Sequence, residues 1–522
     1  MRLNTSKTVV FICFGLFLLT VISRVPVLRT VGETWDEQTA AVQIGERYLG
    51  NLQRLDFNKD SWDLGAEHPP LARYLYGAAT IIPKKIPAIR NWDSEYHQNK
   101  EYTVPRVLSA IFGGLTVVLV FLIGKFLFNY RVGAVSAVIL MVFPPFIAYT
   151  STSSLESVFI LTTTIFVWSL LHALKSNSTK WHFVAIVTLT LCFLTRYNGL
   201  FFVIFYAGVI VAKYHHEIFK LKARQIPWPV LASSLIFLSL TYILWPWLWA
   251  NPLRLFESFA RTPAFVSNEY FLGKLGPMPW YYYFIYFLVT TPEVLTLLFL
   301  GFVLTVLISF AKFKSLFVNR YSLIILFWFL TPFLASFVSF KQDGIRYVIA
   351  FLPPLALISG LMVTQLVDKL PKPSLRIFFV FFMMLGIVYP TVLFYPYYLD
   401  YYNLASGGPR AAYENDRFDV GWWGEGSLNA VRFINKNAEV GATVKVSFIP
   451  FHVLPKFRED LVLFKVEDSQ TADYILINCF SRNFKPATNL SNYKEILAVS
   501  TPLIKTFSAP LTQVYQQKLN KN

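Results

Sequence analysis

The chain has 522 residues, 55% of them hydrophobic and only 15% charged, with a formal net charge of +17 and three cysteines. Soluble domains carry about 25% charged residues, so a soluble globular enzyme is excluded, and three cysteines imply no disulfide framework. The Lys and Arg excess is scattered between apolar stretches, which argues against nucleic acid as a partner and for contact with anionic headgroups and other membrane lipids.

Apolar stretches of near-spanning length recur at 8–28, 105–128, 132–150, 155–174, 181–195, 197–213, 229–248, 284–311, 321–340, 346–366 and 374–396. They predict about eleven transmembrane helices. The first follows Arg2 and Lys7, exceeds a usual signal-peptide core and lacks a small-residue cleavage site, so it reads as a retained helix. The two stretches flanking Arg196 are short and fit one long helix or a broken one. Residues 29–104 form a first loop too long for a simple connection. It bears interfacial amphipathic pieces such as Ala72 to Ile82. A second long loop, 249–283, carries the run Trp280-Tyr281-Tyr282-Tyr283, suited to an aromatic belt or a groove wall.

Alternate short loops hold Lys125 with Arg131, Lys175 with Lys180, the group Lys213 to Arg224, Lys312 to Arg320, and Lys369 to Arg376. By the positive-inside rule the N-terminus is cytoplasmic, and both long loops and the tail face outward from the cell membrane. The expected architecture is a multi-span helical domain, 1–397, followed by a small extracytoplasmic α/β domain, 398–522. In the tail a helix is expected over 426–435 and strands over 443–448, 461–464, 474–477 and 511–515.

Asp36 and Glu37 follow the first apolar stretch, where adjacent acids must face water or a partner. Asp36 is the candidate base and Glu37 its neighbour; as bland alternatives, either serves as a loop or N-cap acid. Glu67 and His68 precede paired prolines, and His68 suits a phosphate contact or a metal ligand as well as an ordinary hydrogen bond. Arg106, Arg196, Lys341 and Arg346, with Tyr347 beside the last, are the cations available for a phosphate. Each is equally able to snorkel to headgroups, though Arg196 has apolar neighbours on both sides. Glu156 stands at a helix start, where the dipole favours an acid; opposite Asp36, the two carboxylates suit a divalent metal.

The acidic pair after the first stretch, His68-Pro69-Pro70-Leu71, Pro105-Arg106-Val107-Leu108, Arg346-Tyr347 ahead of Pro353-Pro354, and Trp422-Trp423-Gly424-Glu425-Gly426 together resemble the type C glycosyltransferases. Within them the chain is most similar to glycosyltransferase family 39, the polyprenyl-phosphate-mannose-protein mannosyltransferases, and to the related bacterial aminoarabinose transferases. The resemblance spans roughly residues 8–437. It implies inverting transfer of a mannose-like hexose or a pentose from a polyprenyl-phosphate donor to a hydroxyl of a cell-envelope lipid, glycan or protein. It further implies Asp36 as catalytic aspartate, Glu37 beside it, Arg106 on the donor phosphate, Glu156 on sugar or acceptor, and no cofactor or metal. His68 stands where the aminoarabinose transferases carry a lysine, which turns the expectation toward mannose-like donors. No large domain is inserted in a middle loop, unlike the eukaryotic protein mannosyltransferases. A protein O-mannosyltransferase acting on Ser/Thr is the alternative of the same class. A transporter or flippase of lipid-linked sugars is the rival from another class, but would need inverted repeats and mid-span acids. An inactive relative acting as a scaffold through residues 400–522 is a third reading.

Overall fold

A computed structural model describes residues 5–86, 89, 102–219, 226–261, 269–311, 320–338, 342–447, 454–465, 471–479 and 490–518. Among them, five helices are long and apolar enough to cross a membrane: Lys7–Thr30, Thr103–Leu127, Leu155–Ser176, Arg346–Lys369 and Pro373–Leu393. Six shorter apolar helices, Tyr130–Met141, Thr179–Thr195, Gly199–His215, Ser233–Leu244, Glu293–Ser309 and Ser322–Phe337, fall on the remaining expected stretches.

Prolines cut two expected stretches in two. The stretch 132–150 becomes Tyr130–Met141 and Pro144–Tyr149, with Phe143 extended between them. The stretch 284–311 becomes Tyr282–Thr290 and Glu293–Ala311, with Thr291 extended ahead of Pro292. A proline removes a backbone donor and keeps the residue before it out of the helical region. The pair around Arg196 is also broken. Thr179–Thr195 ends at an extended Arg196 (φ −151°, ψ 146°), and Gly199–Phe219 begins three residues later.

Small residues let these helices meet closely, as expected where lipid supplies no hydrophobic drive to associate. A Cβ on Gly124 would lie 2.7 Å from the Gly133 Cα, and one on Gly360 would meet Ser136. The first loop folds into the helices Gln43–Gln53, Lys59–Asp63, Leu71–Ala79 and Ile81–Lys85. In the second loop a two-stranded hairpin, β1 (Glu269–Phe271) with β2 (Lys274–Gly276), docks on the tail through Leu272 N to Arg417 O (2.7 Å).

The tail is a mixed five-stranded sheet of order β4-β3-β5-β7-β6. Its strands are β3 (Thr443–Ser447), β4 (Val462–Lys465), β5 (Tyr474–Asn478), β6 (Tyr493–Thr501) and β7 (Ala509–Gln517). Helix Ser427–Asn437 packs against it. Strand β6 has no expected counterpart because a register shift between Glu495 and Leu497 destroys its alternation. Residues 398–403 still pack on the helical domain: Asn403 Nδ2 donates to Leu288 O (2.6 Å) and Thr291 O (2.9 Å). One buried apolar cluster runs from Phe121 and Leu355 among the helices, through Tyr398 and Tyr402, to Val444 and Val514 in the sheet.

Candidate active site

The chain leaves the first helix at Thr30 and turns through residues 31–36 into a short π-helical stretch, Glu37–Val42, whose N-cap is Asp36. The turn is pinned by Trp35 N to Trp423 O (3.1 Å). It is pinned further by Glu37, buried and accepting hydrogen bonds from Thr34 N (2.9 Å), Thr34 Oγ1 (3.0 Å) and Ser153 N (2.8 Å). Arg106 completes the knot. Its Nε and Nη2 donate to the two Glu37 oxygens (2.8 and 2.5 Å), and its remaining donors reach Leu28 O, Val31 O and Gly32 O (2.5, 2.8 and 2.6 Å). All five guanidinium donors are thereby used. Burial alone would push the Glu37 carboxyl up, but the Arg106 charge and the hydrogen bonds from Arg106, Ser153 and Thr34 hold it below the usual carboxylate range.

Asp36, one residue away, points elsewhere. Its Oδ2 lies 2.6 Å from Arg346 Nη1. Arg346 also binds Glu156 Oε1 through Nε (2.5 Å) and Asp343 Oδ2 through Nη1 (3.1 Å). Glu156 in turn pairs with Arg196 Nη1. The break between the helices around Arg196 thus presents its guanidinium sideways, onto the acid at the start of the neighbouring helix. Of the three carboxylates on Arg346, Asp36 is the most open, with its side chain 27% exposed against 20% for Asp343 and 0% for Glu156. Aromatic faces cover both cations: Arg346 Cζ stands 4.9 Å from the Trp423 ring and Arg196 Cζ 4.7 Å from the Tyr347 ring. The Arg346 guanidinium bridges Asp36 and Glu156.

The loop carrying Asp343 is built from the aromatic run of the second loop. Trp280 and Tyr281 turn outward, whereas Tyr282 and Tyr283 are wholly buried. Tyr282 OH donates to Glu269 Oε2 (2.6 Å) and accepts from Gly344 N (2.9 Å), while Glu269 Oε1 accepts from Asp343 N (2.7 Å). Asp343 and Gly344 both take left-handed backbone, φ 60° and 58°, folding the aspartate back onto Arg346 three residues on. Burial pushes Asp343 up, against the pull of Arg346.

His68 lies beside this cluster. Burial, followed by the charges of Arg73, Arg196 and Arg346, pushes its imidazole well below the ordinary value, so it is neutral at pH 7. Its carbonyl accepts from Arg73 Nη1 (2.9 Å), and Glu67 binds Arg73 Nη2 (2.7 Å). Glu67 therefore ties the loop through Arg73 and is half exposed. Lys341 falls outside the described residues. The sequence reading missed Trp423 as a wall of the site, although glycines at 421, 424 and 426, all with positive φ, mark the tight turn that puts it there. Arg196 Nη2, Glu156 Oε2 and the hydroxyls of Ser151 and Ser153 are buried and without a hydrogen-bond partner among the described residues. Buried polar groups in that state call for a ligand or ordered water.

Residues 98–247 match the profile of the dolichyl-phosphate-mannose-protein mannosyltransferase family. No curated protein matches the chain. Among solved structures it is similar to ArnT from Cupriavidus metallidurans bound to undecaprenyl phosphate, over 100% of this chain and 99% of that one, at 11% identity and TM-score 0.49. It is also similar to the Archaeoglobus fulgidus oligosaccharyltransferase tethered with an acceptor peptide (82% and 57% covered, 12% identity, TM-score 0.46). A third is the S. cerevisiae protein O-mannosyltransferase Pmt1-Pmt2 complex bound to the sugar donor (48% and 35% covered, 18% identity, TM-score 0.36). The matched segment contains Arg106, Glu156 and Arg196, and what it shows is a likeness to that mannosyltransferase family over this part of the chain.

Proposed function

We propose that the protein is an inverting glycosyltransferase of the outer membrane face, moving a hexose or pentose from a polyprenyl-phosphate carrier to a hydroxyl acceptor. The observation that carries this reading is the Asp36–Arg346 contact of 2.6 Å, with Arg346 and Arg196 both held by Glu156. It joins a half-open carboxylate to two cations in one hollow.

In this reading the donor phosphodiester enters against Arg196, Arg346 and the Ser151 and Ser153 hydroxyls, and competes with Asp36 for Arg346. Asp36, released from that pair, takes the acceptor proton. The hydroxyl oxygen bonds to the anomeric carbon from the face opposite the phosphate, and the anomeric C–O bond breaks with its electron pair passing to the phosphate. The carrier phosphate gains one negative charge in that step, which a fixed pair of guanidinium groups stabilises more in the transition state than before it. Neutral His68 contributes a hydrogen bond to sugar or phosphate without opposing the arginines. Glu37 and Arg106 act as positioning residues, because their hydrogen-bonding capacity is spent on each other and on the turn that aims Asp36.

The proposed transfer uses no metal, a reading supported by Arg346 bridging Asp36 and Glu156. Eleven helices cross the bilayer in this proposal, with the basic loops inside. The test is purified protein with a panel of labelled polyprenyl-phosphate sugars, reading release of carrier phosphate with lipid, glycan or Ser/Thr peptide acceptors, in the presence of a chelator. Turnover with one donor, kept under chelation, is expected; no turnover with any donor, or uptake of intact donor across vesicles, would overturn the reading.

A further inference from the structure

A concave site opens on the tail domain. Trp423, the wall over Arg346, leads into helix Ser427–Asn437, and between that helix and segment 454–459 lies a cleft of about 580 Å³. That is the size of small-ligand sites, about 300–1,000 Å³. Leu428, Val431, Phe457 and Pro455 give it an apolar lining, while Arg432, Lys436, Lys456 and Arg458 line it with charge. Positions 428, 432 and 436 share one helix face, four residues apart.

Two nearby acids meet two of these cations. Asp460 takes Arg458 in two bonds (2.6 and 3.0 Å), and Glu459, 82% exposed, meets Lys456 at 3.2 Å. Lys436 has no acidic partner among the described residues and, like Arg432, is exposed. The near end of the cleft abuts the turn that carries Asp36: a Cβ on Gly32 would lie 2.9 Å from the Leu428 Cβ. Lys436 stands eight residues further along the helix, about 12 Å away at 1.5 Å per residue.

We propose that this cleft binds an anionic saccharide of the acceptor, one bearing a carboxylate or phosphate. The C–H face of a sugar ring lies on Leu428, Val431 and Phe457, and its charge pairs with Arg432, Lys436 and Lys456. The cleft thereby holds an extended acceptor with its free hydroxyl directed toward Asp36. This deepens the proposed function and rests on it for the word acceptor, but binding itself is measured without turnover.

The full-length protein in phosphatidylcholine nanodiscs is titrated with a glucuronate-containing tetrasaccharide and with neutral maltotetraose. The charged probe is expected to bind at least about tenfold tighter, a gap of about 1.4 kcal/mol. The double variant R432A/K436A loses that preference and R432K/K436R keeps it; if the alanine variant fails to fold, Lys456→Ala carries the same test. Equal binding of the two probes, or an unaffected alanine variant, overturns the proposal. In a second set of nanodiscs that also carry phosphatidylglycerol, loss of its retention rather than of saccharide binding in the variants assigns the cleft to lipid and also overturns the proposal. Asp36→Asn is expected to bind the tetrasaccharide normally, so failure of the chemical reading and failure of the cleft are read separately.

Discussion

Asp36 and Arg346, more than three hundred residues apart in sequence, meet at 2.6 Å, so the candidate base is held by the cation proposed for the leaving phosphate. In the proposed reaction the carboxylate stays paired until an anionic donor takes its partner. Donor binding and activation of the base are then one event.

Asp36→Asn keeps the shape and the contact to Arg346 but cannot accept a proton. Carrier-phosphate release is expected to fall by about 10²–10⁴, the contribution of a general base, with thermal stability nearly unchanged. Near-normal turnover in the folded variant would remove Asp36 from the chemistry.

Arg346→Lys retains one charge and loses the fork that joins Asp36, Asp343 and Glu156. We expect kcat to drop by at least about 10², because the lost interaction strengthens as the phosphate departs. A change confined to KM would show that Arg346 binds donor and transition state alike.

Arg106→Ala is expected to act on folding, not on donor use. It breaks a wholly buried pair with Glu37 and strips three carbonyls at the end of the first helix. Removing one partner of such a pair costs about 3–5 kcal/mol. Thermal unfolding in nanodiscs measures this, and a fully stable variant with a raised donor KM would restore Arg106 to the phosphate site.

Asp400 and Glu425 lie buried at the base of the tail domain. Burial pushes the Asp400 carboxyl up to about 7, although Gly421 N donates to it at 2.6 Å, and burial with the Asp400 charge lifts Glu425 well above its ordinary value. The folded state then holds protons that the unfolded chain releases, so stability falls as pH rises from about 4 to about 7. Asp400→Asn is expected to flatten that fall and to converge with the parent protein near pH 4. An unchanged pH slope would mean that neither carboxyl carries the linkage.

The membrane class, the helical stretches and most tail strands were legible because hydrophobic length and periodicity are local properties. The breaks at Pro144 and Pro292 were legible in principle, from a residue that forbids the continuous helix. Strand β6 was not, since its bulge scrambles the alternation that identifies a strand. Of the site, Asp36, Glu156, Arg196 and Arg346 stood out as charges at the ends of apolar stretches, where desolvation forbids them without a purpose.

Sequence by itself determined that this chain is a multi-span helical protein with charges gathered at helix ends, and its motifs pointed to the glycosyltransferase kind. Tertiary structure alone decided which charge answers which. It set Arg106 against Glu37 as a structural lock and placed Arg346 between Asp36 and Glu156. Pairing is long-range: Arg106 meets an acid 69 positions away and Arg346 one 190 positions away. No local pattern encodes such distances, because they are fixed by how the helices pack and where the first loop and the tail close over them.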